Sequence, residues 1–313
     1  MYRLQQPAEP LRPYIESYWS VDHAPGENVD LRVEVFVDAR ADLLFNFGAP
    51  YRREIIGGAT TLHQRSNLDA QRLVPIRIQQ HGAVRIVGVR FHLGGLSPFT
   101  RTRLDYWSGK APAPAAVFGQ DIVELQRRVG AAEDLDAART ALDEFFLSSL
   151  RVDEAQVTFE RALSALVAGR GRRPMSELAD AASTSPRQVQ RLFAYRLGFA
   201  PKVVTRVQRF QETLHHLMTA PDVALSQLAA AAGYYDQAIS SATSARSVGE
   251  CHGGTEGTSR PRVRATSPRT SSSSYKTLMR SQEETDGVRL RTRRRTPWLI
   301  TGPEPEPPTI RGV

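Results

Sequence analysis

Between residues 183 and 197 the chain reads Ser-Thr-Ser-Pro-Arg-Gln-Val-Gln-Arg-Leu-Phe-Ala-Tyr-Arg-Leu, with three arginines and two glutamines inside one short stretch. Arginine forks onto guanine and glutamine pairs with adenine, so these residue types can read base edges. Val189, Leu192 and Phe193 fall at i, i+3 and i+4 and must face a core, which turns Arg187, Gln188, Gln190 and Arg191 outward. Ser185 is placed to cap this helix, and its hydroxyl can alternatively meet a phosphate. A solvated amphipathic helix would show the same periodicity, so the neighbouring elements decide.

Those neighbours have the grammar of a helix-turn-helix unit. Pro174 opens a first helix over Met175–Ala182, Ser183-Thr184-Ser185 forms the turn, and Pro186 starts the second helix, which runs to Leu197 and stops at Gly198. Pro201 starts a longer helix whose stripe is Val203, Val207, Phe210, Leu214 and Leu217, with Lys202, Arg206 and Arg209 opposite. A fourth helix is expected over Leu225–Ala232. Its Ser226-Gln227-Leu228-Ala229 repeats the pattern of Ser176-Glu177-Leu178-Ala179, as two units joined by a linker helix would. Such a pair suits two successive major-groove segments about 34 Å apart.

The motifs MSELADAASTSPRQVQRLFAYRLGFAPKVV, RVQRFQETLHHLMT and LSQLAAAAGYYDQA resemble the DNA-binding domain of the AraC/XylS family of bacterial transcription regulators. The resemblance implies that Arg187, Gln190 and Arg191 reach base edges and that Gln237 begins a second recognition helix; Lys202, on the polar face of the third helix, is a further candidate DNA contact. Residues 1–150 are similar, more loosely, to the β-rich effector domain of some members, through YIESYW, VDARADLLFNFG and IVGVRFHLGG. The partners implied are a double-stranded operator, a small-molecule effector, RNA polymerase and a second copy of the chain.

After Ala238 the family pattern fails. The family continues with His-Phe-x-x-x-Phe-Arg, whereas this chain gives Ile239-Ser240-Ser241-Ala242-Thr243-Ser244-Ala245. Reading the codons one base out turns Ala-Ile into His when the alanine codon ends in C, Ile-Ser into Phe and Ser-Ser into Ile. The following steps allow Ser, Asp, Phe and Arg, which is the missing helix. Residues 239–313 are therefore read as frameshifted. Their Ser, Thr, Gly, Pro and Arg content, with thirteen basic against seven acidic side chains, points to a disordered basic tail.

The first 110 or so residues read as strands: LRVEVFVDAR, ADLLFNFG, EIIGGATT, VPIRIQ and VRIVGVRFHLGG are β-branched or aromatic runs between turn residues. Residues 121–168 change to helical period. The expected fold class is α+β: a cupin-like barrel with trailing helices over 1–150, a tandem helix-turn-helix domain over 151–238 with its second unit incomplete, then the tail over 239–313. Tyr14, Trp19, Phe45, Phe47, Phe91, Arg90 and His92 are the candidate walls of an effector pocket, beside which core packing for the aromatics and a structural ion pair for Arg90 are the stronger readings. His63, His81 and His92 are spaced by 18 and 11 without an H-x-H pair, so surface or hydrogen-bonded histidines are expected and no metal or other cofactor.

Composition agrees with a folded regulator. Apolar residues make up 41% and charged residues 24%, an ordinary globular balance, and a single cysteine excludes an internal disulfide. The start lacks the basic-then-apolar order of a secretory signal and no window approaches a membrane span, so a cytoplasmic protein with no membrane partner is expected. Net charge is +8, and residues 170–209 carry nine basic side chains against Glu177 and Asp180. That is the electrostatic footprint of a polyanion partner. No Ser-His-Asp order or G-x-S-x-G is present, so no enzyme is expected. The alternatives are a defective regulator that binds DNA without sequence preference, and a metal-dependent cupin-type enzyme carrying a helical appendage.

Overall fold

The computed structural model describes residues 2–23, 29–58 and 61–219. Gln237, the helix expected over Leu225–Ala232 and the tail over 239–313 lie outside the described residues. The β half consists of β1 (Tyr2–Gln5), β2 (Ile15–Asp22), β3 (Val29–Val35), β4 (Asp42–Asn46), β5 (Tyr51–Ile55), β6 (Thr61–Gln64), β7 (Asn67–Asp69), β8 (Ile76–Gly82) and β9 (Arg85–Phe91). They form two antiparallel sheets, β1-β2-β9-β4-β7 and β3-β8-β5-β6. EIIGGATT is not one strand: Glu54 and Ile55 end β5, Gly57 turns the chain at φ +79°, and Thr61 begins β6.

Strand alternation builds two cores from one sheet. Trp19, Val21, Leu44 and Ile86 point toward the second sheet and meet Leu31, Val33, Val35 and Ile76. Tyr18, Leu43, Phe45, Val87, Val89 and Phe91 point the other way. They are covered by α1 (Pro114–Phe118), α2 (Asp121–Ala131) and α3 (Leu135–Ser149), through Ile122, Leu125, Leu142 and Phe146 among others. Gly88 pairs with Trp19 across β2 and β9, and a Cβ on it would stand 2.0 Å from the indole. The glycine is what lets the largest buried ring lie flat on the sheet.

The helical half comprises α4 (Glu154–Ala168), α5 (Met175–Ala181), α6 (Pro186–Leu197) and α7 (Pro201–Thr219). Phe159, Leu166, Leu178, Val189, Phe193 and Val207 form its core, which also takes in Val37 and Ala39 from the β half. On α7 the buried residues are Pro201, Val204, Val207 and Phe210, while Val203 is half-buried. The inward stripe is thus wider than the expected Val203-Val207-Phe210 line, and it takes in Val204, one helical step away. Arg209 is half-buried, whereas Lys202 and Arg206 are exposed. The side chains of Leu214 and Leu217 fall outside the described ones. Among the described residues no helix is long and apolar enough to cross a membrane.

Candidate nucleic-acid interface

Local chemistry sets the start and stop of α6. The turn before it needs a left-handed residue, and Ser183 supplies it at φ +51°, with Thr184 N donating to Ala179 O at 2.9 Å. Ser185 takes an extended conformation and its hydroxyl accepts from Gln188 N at 3.2 Å. The capping expectation therefore holds in the structure, and the hydroxyl is engaged by the helix itself. Pro186 fills the first helical position and Gly198, at φ +83°, closes the last turn with its N–H on Phe193 O and Ala194 O. Ser185→Ala is expected to lower stability by about 1 kcal/mol, read as a shift in the melting curve, with base preference unchanged.

Burial sets the phase. Val189 and Phe193 are fully buried and Leu192 and Leu197 nearly so. Phe193 stacks edge-on against Phe159 of α4, centroids 5.2 Å apart. Arg187, Gln190 and Arg191 are exposed, Gln188 is half-buried beside the cap, and Lys202 is exposed one turn beyond Gly198. Among the described residues no ion pair engages Arg187 or Arg191. Arg196 is different: it is held by Asp153 at 2.7 Å and by Gln156 at 2.9 Å, and so fastens α6 to α4. The N-terminal half of α6 thus displays donors and acceptors to solvent, while its C-terminal half is anchored.

The candidate effector residues do not share a cavity. A gap of about 20 Å³ between the sheets is lined by Trp19, Val21, Leu31, Leu44, Tyr51, Ile78, Gln80 and Ile86. Trp19 borders it, but Phe45 lies on the opposite face of the same sheet, against the helices. Phe47 packs there too, beside Gly130 and under the Arg85 guanidinium at 5.7 Å. Tyr14 and Phe91 both pack on Phe99, at 5.9 Å. Successive side chains of a strand point to opposite faces, so ring type and proximity in sequence could not collect these residues. Trp19, Phe45, Phe47, Arg90 and His92 therefore do not line one pocket, and the stronger expectation, core packing for the aromatics and an ion pair for Arg90, describes them.

Arg90 is instead the hub of a buried ion cluster. Its guanidinium meets Asp42 at 3.0 Å, Glu16 at 3.4 Å and Asp38. Arg40 pairs with Glu16 at 2.5 Å, and Arg72 links Asp69 to the carbonyls of Val35 and Phe36. Burial pushes Asp42 up to about 6, against the pull of Arg90. Asp38 is half-buried and desolvation pushes it upward, yet Arg90, Arg40 and Arg72 hold it below the ordinary carboxylate range. His92 is half-buried beside this cluster, and desolvation keeps its imidazole below its ordinary value. His63 and His81 are exposed, His81 facing Asp30 at 3.1 Å. The acids of this cluster escaped the sequence reading. Asp38 and Asp42 lie at the end and the start of two runs that read as strands, and only the register of β4 against β9 sets Asp42 opposite Arg90.

Residues 3–111 match the family model described as a domain of unknown function, DUF6597. No curated protein matches the chain. Among solved structures, ToxT from Vibrio cholerae is similar at 8% identity, covering 74% of this chain and 94% of that one with a TM-score of 0.39. The structure of ToxT from strain SCE256 with an unsaturated fatty acid bound gives 8% identity, 72% and 94% coverage and a TM-score of 0.37. The AraC-like transcriptional activator CuxR gives 10% identity, 69% and 86% coverage and a TM-score of 0.23.

Proposed function

We propose that the chain is a sequence-specific regulator of transcription that binds double-stranded DNA and reads the major groove with α6. The observation that carries this reading is the geometry of α5, the turn and α6: a capped helix whose inner face is locked by Val189, Leu192 and Phe193 and whose outer face presents Arg187, Gln190 and Arg191. A recognition helix works with residues near its N-terminus, and these are the ones left exposed. The exposed Lys202, at the start of α7, and the half-buried Gln188 are the further candidate contacts. The likeness of the 170–238 motifs to AraC/XylS proteins extends the proposal to a small effector sensed by the β half, to contact with RNA polymerase and to pairing with a second copy. It also extends it to Gln237 as part of a second reading element, which the proposed slip near Ala238 would curtail. Resequencing the gene across that codon and finding no slip relative to close relatives removes the frameshift.

The test is a fluorescence-anisotropy titration of the full chain against the duplex upstream of its own gene and a scrambled duplex, at two salt concentrations. Preference for the upstream duplex is expected. Equal, steeply salt-dependent binding to both would instead identify a non-specific DNA binder. Arg191→Ala is expected to cost about 1–3 kcal/mol on the preferred duplex and to relax base choice at one position. An equal loss on every duplex would reassign Arg191 to the phosphate backbone.

A further inference from the structure

The C-terminal end of α6 is not free in solvent. Gln71 Nε2 donates to Leu197 O at 2.6 Å, Ser108 Oγ donates to Gly198 O at 3.3 Å, and the Tyr195 hydroxyl donates to Arg101 O at 3.4 Å. All three bonds tie the helix end to the β half. The last of them reaches a four-residue turn, Thr100-Arg101-Thr102-Arg103. Thr100 fixes this turn from within: its hydroxyl donates to Val117 O and accepts from Thr102 N, both at 3.1 Å. Arg101 and Arg103 are both exposed. The Arg103 guanidinium stands 6.0 Å from the centre of the Tyr195 ring.

Position along α6 gives this turn its meaning. Gln188, Arg191 and Tyr195 fall at i, i+3 and i+7 and so lie on one line along the helix. Tyr195, 40% exposed, is about 6 Å further along the axis than Arg191. The major groove is about 12 Å wide and is bordered by phosphates on both sides. With Arg191 over a base edge, the next turn of the helix passes over one of those borders. The structure has set two arginines there, on a rigid turn contributed by the other half of the molecule. Asp105 engages Nε and Nη2 of Arg103, at 3.1 and 2.6 Å, and so orients the guanidinium while partly offsetting its charge. No ion pair engages Arg101 among the described residues.

We propose that Arg101 and Arg103 form a second DNA contact, in which the β half grips the phosphate backbone beside the groove read by α6. This rests on the reading of α6 as a recognition helix. The contact is blind to sequence and fixes register. It also makes DNA affinity depend on how the β half is docked, since the same turn holds Tyr195.

The experiment compares the full chain with Arg101→Ala/Arg103→Ala on the upstream and scrambled duplexes over a series of salt concentrations. The double variant is expected to lose affinity by the same factor on both duplexes. Its plot of log affinity against log salt should flatten by about 0.9 per lost phosphate contact, about 1.8 in all, with an unchanged melting curve. Asp105→Asn, which removes the acid nearest Arg103, is expected to tighten both. An unchanged slope in the double variant, with the wild type still preferring its upstream duplex and Arg191→Ala still relaxing that preference, overturns this proposal alone and assigns the basic turn to a partner other than DNA. A wild-type chain that binds neither duplex overturns the recognition-helix reading and this contact with it.

Discussion

Phe193→Ala is expected to destabilise the helical half by roughly 3–5 kcal/mol, the range for removing a fully buried aromatic ring. Phe193 is 0% exposed, and its ring is wedged edge-on against Phe159, at 5.2 Å between centroids. Around it lie Leu166, Leu178, Ala182, Val189 and Leu197, contributed by three different elements. A cavity there cannot be filled by one neighbour relaxing, because α4, α5 and α6 would all have to close in together. At about 2–4 °C per kcal/mol for a chain of this size, the melting temperature should drop by about 6–20 °C. DNA preference should fail with it, because the phase of α6 depends on the same ring. Arg191→Ala is the control: on the proposed reading it should alter base choice and leave melting alone. A Phe193→Ala protein that melts like the wild type would mean that α6 is rotated relative to its core, and the assignment of Arg187, Gln190 and Arg191 to the outer face would go with it.

The helix-turn-helix unit was legible in the sequence because everything that shapes it is local. Ser185, Pro186 and Gly198 act within one turn of their own positions, and the 3.6-residue period fixes which side chains point inward. The strands were legible as runs for the same reason. Their pairing was not: β2 lies between β1 and β9, and β4 between β9 and β7, an order that no local pattern encodes. Without the order, the two faces of the sheet cannot be told apart. Trp19 and Phe45 read as core residues, with a shared pocket as the weaker alternative, but the sequence could not show that they belong to two different cores. The bonds that fasten α6 to the β half are also non-local, since Gln71 and Leu197 meet across a separation of 126 residues. A glutamine in a polar turn carries no sign of such a partner.

Arg90→Ala is the other large loss to expect, about 3–5 kcal/mol at neutral pH, because it strips a buried cluster of its central cation. Arg90 is 6% exposed and meets Asp42 at 3.0 Å, Glu16 at 3.4 Å and Asp38. Asp42 cannot turn to water without opening the end of β4, where it is paired to both β7 and β9, and Asp38 sits between Val37 and Ala39, whose side chains belong to the core of the helical half. Loss of the cation should therefore loosen the join between the halves as well as the sheet. The pH dependence identifies the cause. Asp42, raised by burial from 3.8 to about 6, contributes a stability that is fully present below the unfolded value and is lost as pH rises through the folded one. Arg90 is the leading attraction that moderates this rise, and it is also the leading one that holds Asp38 low. Without it both carboxyls shift upward, and the variant goes on losing stability at pH values where the wild type has levelled off. The deficit measured by chemical denaturation should accordingly be smaller at pH 5 than at pH 8. Arg90→Met, which keeps most of the side-chain volume and none of the charge, should show the same growth with pH. A deficit that is equal at the two pH values, or that disappears in the methionine variant, would place the loss in packing and not in the abandoned carboxylates.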